Sequence, residues 1–187
     1  MKDESIAFSL ERTLALLRDS LATFEYGLER VPGQWLDQRA APGLWSIARN
    51  VAHLAIYEEV LAAPALEDLA RGGDGRAVAP GVPRSQAEFD LIESELEARI
   101  EEALMRLRSA RQRQVAAVES FVEDSFNRAS CILWARGPIA AHSPGWVAMK
   151  TVQHTWEHGN VVLQAMLFAP RGQTMRPAPS QRLKTGD

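Results

Sequence analysis

Residues 5–30 read SIAFSLERTLALLRDSLATFEYGLER, and this stretch indicates the fold class. Its large apolar residues are separated by alternating gaps of four and three, which places them in one stripe along a helix. A Pro-Gly pair at Pro32 and Gly33 predicts the end of that helix. The stripe consists of Leu10, Leu14, Leu17, Leu21, Phe24 and Leu28.

Two further helices are predicted before residue 122. Residues 45–63 are apolar around most of the helix, with Ser46 as the N-cap and Pro64 as the stop. Residues 86–121 follow a capping-box pattern at Ser85 and Glu88 and predict one long helix. Such a helix would span roughly 50 Å, so we also consider a bend or a break along it.

A fourth helix is predicted over residues 146–168, with Pro170 just after it. The chain therefore predicts an all-α fold, a four-helix bundle with a long third helix, in one domain over residues 1–170. Residues 171–187 predict a flexible C-terminal tail. The Gly- and Pro-rich residues 64–84 predict a long loop of the kind that sometimes covers a site, and residues 122–145 predict irregular structure.

Composition favours an ordinary globular chain and excludes several classes of partner. The 187 residues carry a formal net charge of −3. Binding of nucleic acid needs a concentrated basic face, of which this charge balance gives no sign, so we expect neither nucleic acid nor an anionic membrane as partner. No apolar run has the length of a membrane span, and the N-terminus lacks the apolar core of a signal peptide. The single cysteine, Cys131, forms no internal disulfide, which favours a cytoplasmic location.

Candidate metal ligands come from the four histidines. His154 and His158 are four residues apart on a predicted helix, so both imidazoles can reach one metal ion. A third ligand must come from elsewhere, and the candidates are His53, His142 and the carboxylates. We favour His53, because it lies in the middle of an apolar helix where a buried imidazole needs a partner. His142 lies in a loop flanked by proline and glycine and is interpreted as a solvated residue.

Glu157 stands between the paired histidines and completes the pattern H-x-x-E-H of inverzincin peptidases. The downstream acidic ligand of those peptidases is missing here, so protease function is not expected. Glu157 is still a candidate catalytic base for metal-bound water or a group that supports a ligand. A solvated helix residue is an equally good interpretation.

A second pattern links the two helices that carry the histidines. Trp45-x-x-x-Arg49-x-Val51-x-His53 is matched by Trp146-x-x-x-Lys150-x-Val152-x-His154 at a constant offset of 101 residues. This match suggests that both helices approach the metal in a similar way. Asn50 and Tyr57 flank His53 at helical spacing and could face the site. Packing or capping is the favoured role for both.

These residues resemble the DinB/YfiT-like superfamily of metal-dependent proteins. The resemblance is carried by Leu44-Trp45-Ser46-Ile47 leading into His53-Leu54, by the H-x-x-x-H of the last helix and by the helix layout. It implies a bundle in up-down-down-up order and a homodimer. It also implies a divalent metal, zinc or nickel above all, held by His53, His154 and His158. The chain departs from the family at Gly159-Asn160-Val161, where members often carry Arg-Gly-Gln.

The resemblance also implies an enzyme that acts on a small molecule with a low-molecular-weight thiol as cofactor. We therefore expect a thiol-dependent S-transferase, with a metal-dependent hydrolase as the alternative. A non-catalytic metal-binding stress-response bundle is a second class of function. A structural protein with three merely buried histidines is the third class. The residues alone do not separate these classes.

Overall fold

The computed structural model describes residues 7–39, 45–73, 86–128, 131–132 and 141–168. It confirms the all-α class, since the regular structure there is helical apart from two short antiparallel strands, β1 (Cys131–Ile132) and β2 (Ala141–His142). No helix in the described part of the chain is long and apolar enough to cross a membrane. The α-helices are α1 (Leu10–Leu28), α2 (Ile47–Tyr57), α3 (Ala63–Ala70), α4 (Gln86–Glu97), α5 (Ile100–Glu119), α6 (Glu123–Asn127) and α7 (Pro144–Phe168).

Helix α1 forms where the apolar stripe predicted it. Ser9 caps it, because its hydroxyl accepts a hydrogen bond from the backbone N–H of Arg12 at 3.4 Å. The C-terminal part of the stripe is buried, and α1 packs against both α5 and α7. Helix α1 thus forms one side of the core, while α2 packs against α4, α5 and α7.

The second predicted helix extends further than expected. Ser46 is its N-cap, as predicted, and its hydroxyl accepts from the Arg49 backbone N–H at 3.0 Å. Helical structure does not end at Pro64. A π-helical turn at Glu58–Ala62 leads directly into α3, with Pro64 in its first turn. Proline clashes with the carbonyl four residues earlier in a regular helix, and the wider π-turn around Val60 relieves that clash.

The prediction that residues 64–84 form one loop is therefore wrong for its first part. Residues up to Ala70 are helical, and the chain turns at Gly72, which has a positive φ of 83° that suits glycine. Residues 74–85, which include the capping residue Ser85, lie outside the described residues.

The predicted long third helix is two helices. Helix α4 ends at Glu97, and α5 begins at Ile100, with Arg99 in a non-helical conformation between them. The break lets α4 follow α2 while α5 also packs against α1 and α3. As a result Phe89 and Glu93 of α4 are buried beside α2.

The segment over residues 122–145 contains the short helix α6 in addition to irregular chain. The side chain of Asn127 holds the start of the fold by accepting from the Phe8 backbone N–H at 2.6 Å and donating to the Phe8 carbonyl at 2.9 Å. A Cβ atom at Gly145 would lie 3.0 Å from the Phe8 ring and 3.1 Å from the Phe126 ring. A larger residue at this position would therefore need both rings to shift by a few tenths of an ångström, because the first turn of α7 passes close to them.

An ion pair lies in the centre of the core. Arg111 and Glu58 are 3% and 0% exposed, and the guanidinium group donates to both carboxylate oxygens at 2.5 and 2.9 Å. The same group also donates to the Leu17 carbonyl, the Ser20 hydroxyl and the Thr155 hydroxyl. One side chain therefore joins α1, α5, α7 and the π-turn.

Replacing Arg111 with methionine should destabilise the protein by about 3–5 kcal/mol, because it leaves the buried Glu58 carboxylate without a charged partner and with the Gln114 amide as a remaining donor. Urea unfolding would measure the change. Arg113→Met is the matched control, since the Arg113–Glu67 pair is partly exposed and should contribute less than about 1 kcal/mol. Equal losses in the two variants would contradict this account of the core.

Candidate metal centre

Three histidines meet at the surface between α2 and α7. The Nε2 atom of His154 lies 3.2 Å from Nε2 of His53 and 3.0 Å from Nε2 of His158. Each of the three offers a ring nitrogen within 4.8 Å of the others, and all three side chains are partly buried. The structure thus brings together the three residues that the sequence singled out.

The outer nitrogens of two of these rings are held by hydrogen bonds. Nδ1 of His53 lies 2.5 Å from Glu93 Oε1, and the other oxygen of Glu93 accepts from Arg49 at 3.1 Å. Nδ1 of His158 lies 2.5 Å from Asn50 Oδ1. The Asn50 amide is fixed in this orientation because its Nδ2 donates to the Ser46 carbonyl at 2.7 Å.

These partners determine the tautomers. A carboxylate and an amide oxygen only accept hydrogen bonds, so Nδ1 carries the proton in both His53 and His158. Nε2 then carries a lone pair in each of these rings, directed into the cluster. A partner on the outer nitrogen of a ligating histidine is a usual feature of metal sites, because it fixes the ring and raises its basicity.

The spacing of the nitrogen atoms fits a metal ion. Two imidazole nitrogens bound at 2.0–2.1 Å to one zinc ion, at angles of 90–110°, are roughly 2.8–3.4 Å apart. The two measured separations of 3.2 and 3.0 Å fall within this range. Three neutral imidazoles are a donor set that suits zinc, nickel and other borderline divalent metals. The residues present therefore fit the expected ion.

His154 differs from its two neighbours. Its Nδ1 is buried and has no hydrogen-bond partner among the described residues. Burial lowers its pKa to about 3, aided by the charges of His158, His53 and Lys150. Burial, with a smaller effect of His53, lowers the pKa of His158 to about 4. Both rings are therefore neutral at pH 7 and able to ligate.

Aromatic rings enclose the cluster on two sides. The Trp45 ring is 39% exposed, stacks on His158 at a centroid distance of 6.1 Å and meets His53 edge-on at 5.0 Å. The Tyr57 ring packs edge-on against His154 at 4.4 Å. Trp45 and Tyr57 thus limit the movement of the ligand rings.

Other candidates lie apart from this cluster. His142 stacks on Trp146 at 3.6 Å, and the structure does not bring it into the group of three histidines. Glu157 is exposed, and its carboxylate accepts from the Gln153 side-chain amide at 2.6 Å. Its catalytic role stays a prediction. The side chain of Cys131 lies outside the described part of the structure.

Sequence reasoning missed Glu93 and assigned Asn50 a packing or capping role. A signal for Glu93 was present, because it lies four residues after Phe89 and three before Leu96, on the buried side of α4. A carboxylate in an apolar stripe indicates a specific partner. The partner itself, 40 residues earlier, could not be identified from periodicity.

Comparison with known proteins gives the family and the fold. The model of the DinB superfamily matches residues 13–162. Among curated proteins, none matches the sequence. An uncharacterised protein from Clostridium difficile 630 is similar in structure, with a TM-score of 0.66 and 12% identity over 88% of this chain and 99% of that one.

Two similar structures have a described role. The colibactin self-resistance protein ClbS, solved in complex with dsDNA, has a TM-score of 0.59 and 17% identity over 85% of this chain and 96% of its own. A mycothiol-dependent maleylpyruvate isomerase has a TM-score of 0.61 and 16% identity over 83% of this chain, which spans 61% of the isomerase chain. At these identities the likeness shows a shared fold and does not transfer function.

The exclusion of nucleic acid as a partner was wrong. ClbS has a fold similar to this chain, and its structure contains double-stranded DNA. The exclusion rested on a net charge summed over all residues. Such a sum does not describe where basic side chains lie on the surface, so it is not a criterion for this fold.

The lowered pKa values predict how acid affects the metal-free protein. The ordinary histidine pKa of 6.5 applies to the unfolded chain, which therefore binds protons that folded His154 and His158 do not bind. Stability should fall as the pH drops from about 6.5 towards 4, and these two groups should contribute no pH dependence above pH 7. Urea unfolding in the presence of a chelator would measure this.

A His154→Gln variant isolates the contribution of one ring. Because glutamine does not titrate, the free energy of unfolding of the variant should fall less steeply between pH 6.5 and 4 than that of the parent protein. A parallel pH dependence in both proteins would show that His154 is not shielded from protons.

Proposed function

The chain belongs to the DinB superfamily, and from this premise we propose that it is a metal-dependent enzyme whose divalent ion is held by His53, His154 and His158. The observation that carries the proposal is the convergence of three Nε2 atoms, with separations of 3.2 and 3.0 Å. The bundle order up-down-down-up is part of the same proposal. Zinc and nickel are the metals that the donor set favours.

A bound divalent ion supplies Lewis acidity, which lowers the pKa of a thiol or water at an open ligand position. Three protein ligands are the number that catalytic zinc sites commonly use, since a fourth position is left for a small molecule. The partly exposed cluster between α2 and α7 gives such a molecule access.

The side chains of this protein prepare the site. Glu93 and Asn50 hold His53 and His158 in the tautomer that leaves Nε2 free, and Arg49 holds Glu93. Burial keeps His154 and His158 unprotonated. Because these groups are ordered before any ligand arrives, little reorganisation is needed when an ion binds.

We propose thiol-dependent transfer or isomerisation as the reaction. One similar structure is a mycothiol-dependent isomerase, which supports this choice over a hydrolase. Metal-dependent hydrolysis is the alternative, and in that reaction Glu157 is the proposed base. A metal site without catalytic activity is the remaining class. Since ClbS was solved in complex with dsDNA, a substrate screen should include duplex DNA.

The first test is the metal content of untagged protein, which should be near one ion per chain. His53→Ala should lose most of this metal, because two ligands hold an ion poorly. His142→Ala is the matched control and should keep it, since His142 lies outside the cluster. Protein that takes up no zinc, nickel or manganese would overturn the proposal.

Turnover with and without a low-molecular-weight thiol then separates the reactions. Activity that requires both metal and thiol would support transfer or isomerisation. Activity that persists without thiol and is lost in Glu157→Gln would instead support hydrolysis with Glu157 as the base.

Glu93→Gln should weaken metal binding by roughly 10- to 100-fold, which is the usual loss when the partner of a ligating histidine is changed. The carboxylate accepts the His53 proton, whereas the glutamine amide accepts more weakly and leaves Arg49 with the more distant carboxylates of Glu97 and Asp90. Competition with a chromophoric chelator would measure the dissociation constant. Glu97→Gln is the control, because Glu97 is also close to Arg49 and does not contact a histidine. Similar losses in both variants would show a general charge effect.

A further inference from the structure

Lys150 occupies a distinctive position beside the three histidines. The chain contains 18 arginines and three lysines, and Lys150 is the only lysine among the described residues. It lies one helical turn before His154 on α7, so both side chains emerge on the same side of the helix. Its charge is among the causes that lower the pKa of His154, in agreement with this placement.

Arg49 holds the corresponding position on α2, four residues before His53. The structure gives these two cations different surroundings. Arg49 is neutralised, with Glu93 at 3.1 Å, Glu97 at 3.9 Å and Asp90 at 4.0 Å. Lys150 forms no ion pair with a described residue. The two positions that correspond in the sequence pattern therefore differ, since the cation on α2 is paired with carboxylates and the cation on α7 has no such partner among the described residues.

The hydrogen bonds of Lys150 leave most of its capacity unused. Its ammonium group donates to the Gln153 side-chain oxygen at 3.3 Å, and Gln153 in turn donates to Glu157 at 2.6 Å. Gln153 therefore stands between the lysine and the nearest carboxylate on the same helix. An ammonium group has three N–H donors, and the described residues accept from one of them.

The charges around the cluster are therefore asymmetric. Three carboxylates surround one arginine on the side of His53, whereas the ammonium group on the side of His154 has no carboxylate partner in the described part of the chain. An anionic group would be repelled from the first side and attracted to the second. A ligand with an anionic group is therefore expected to place that group on the side of His154.

We propose that Lys150 binds a carboxylate of the ligand that occupies the metal centre, so that the protein selects anionic ligands over neutral ones of equal size. This inference rests on the proposed metal site. It assigns Lys150 a role in specificity: the reacting group lies at the histidines, and the carboxylate points along α7 towards Lys150. The carboxylate belongs either to the thiol or to the second substrate.

The test uses protein loaded with cobalt(II), whose absorption spectrum reports thiolate binding. The probes are 3-mercaptopropionate and 3-mercapto-1-propanol, which differ only in the terminal carboxylate. Lys150→Gln should weaken binding of 3-mercaptopropionate roughly twofold to fivefold, the range expected of a partly exposed ion pair, and leave the neutral thiol unchanged. Lys150→Arg should retain the preference, because it keeps the charge.

Arg108→Gln is the control for net charge. Arg108 pairs with Glu25 between α1 and α5, whereas the histidines lie between α2 and α7. This variant should bind both thiols as the parent does. A second arm adds succinate to protein saturated with the neutral thiol. If Lys150→Gln weakens binding of succinate alone, the carboxylate belongs to the second substrate. If the variant weakens binding of 3-mercaptopropionate, the carboxylate belongs to the thiol.

Two outcomes would overturn the inference in distinguishable ways. In the first outcome cobalt binds, but Lys150→Gln changes the binding of neither carboxylate probe, or changes the binding of the neutral thiol equally. Lys150 then does not select anions, and the proposed metal site is unaffected. If the parent binds no cobalt, the metal site and the inference both fail.

Discussion

Arg111 extends from α5 into the middle of the bundle, where its guanidinium group donates to Glu58 and to acceptors on α1 and α7. Burial raises the pKa of the Glu58 carboxyl, and the pairing with Arg111 opposes this shift. The arrangement is costly unless every donor is used, because a buried charge without a partner is strongly unfavourable. The positions of α1, α5, α7 and the π-turn are therefore constrained together by one side chain.

The cluster of His53, His154 and His158 lies directly beside this network. Glu58 follows Tyr57 in the chain, and Thr155 follows His154, so the residues held by Arg111 are the neighbours of residues that form the site. The π-turn begins at Glu58, and such turns frequently occur near functional sites. The buried ion pair thus fixes the backbone on which one ligand and one enclosing ring are mounted.

The fold itself leaves the chemistry open. Similar structures include a DNA-bound self-resistance protein and a thiol-dependent isomerase, so the bundle serves different purposes in different proteins. The chemistry of this chain depends on the side chains around its histidines. Glu93 and Asn50 set the tautomers, Arg49 pairs with Glu93, and Lys150 forms no ion pair with a described residue.

The sequence by itself determined the features that depend on nearby residues. Apolar periodicity gave α1 and the all-α class, Ser46 gave a helix start, and the four-residue spacing of His154 and His158 gave their shared side of α7. These features follow from the geometry of a single helix, which repeats within a few residues. The choice of His53 as the third member of the cluster also came from the sequence, because it is a polar residue in an apolar helix.

Only the tertiary structure decided the rest. Glu93 meets His53 from 40 residues away, Asn50 meets His158 from 108, and Arg111 meets Glu58 from 53. The position of the break before α5 and the π-turn before α3 were likewise not predicted, because each depends on how helices pack against one another. Periodicity shows which side of a helix is buried, but the partner across the interface is set by packing between segments distant in the chain.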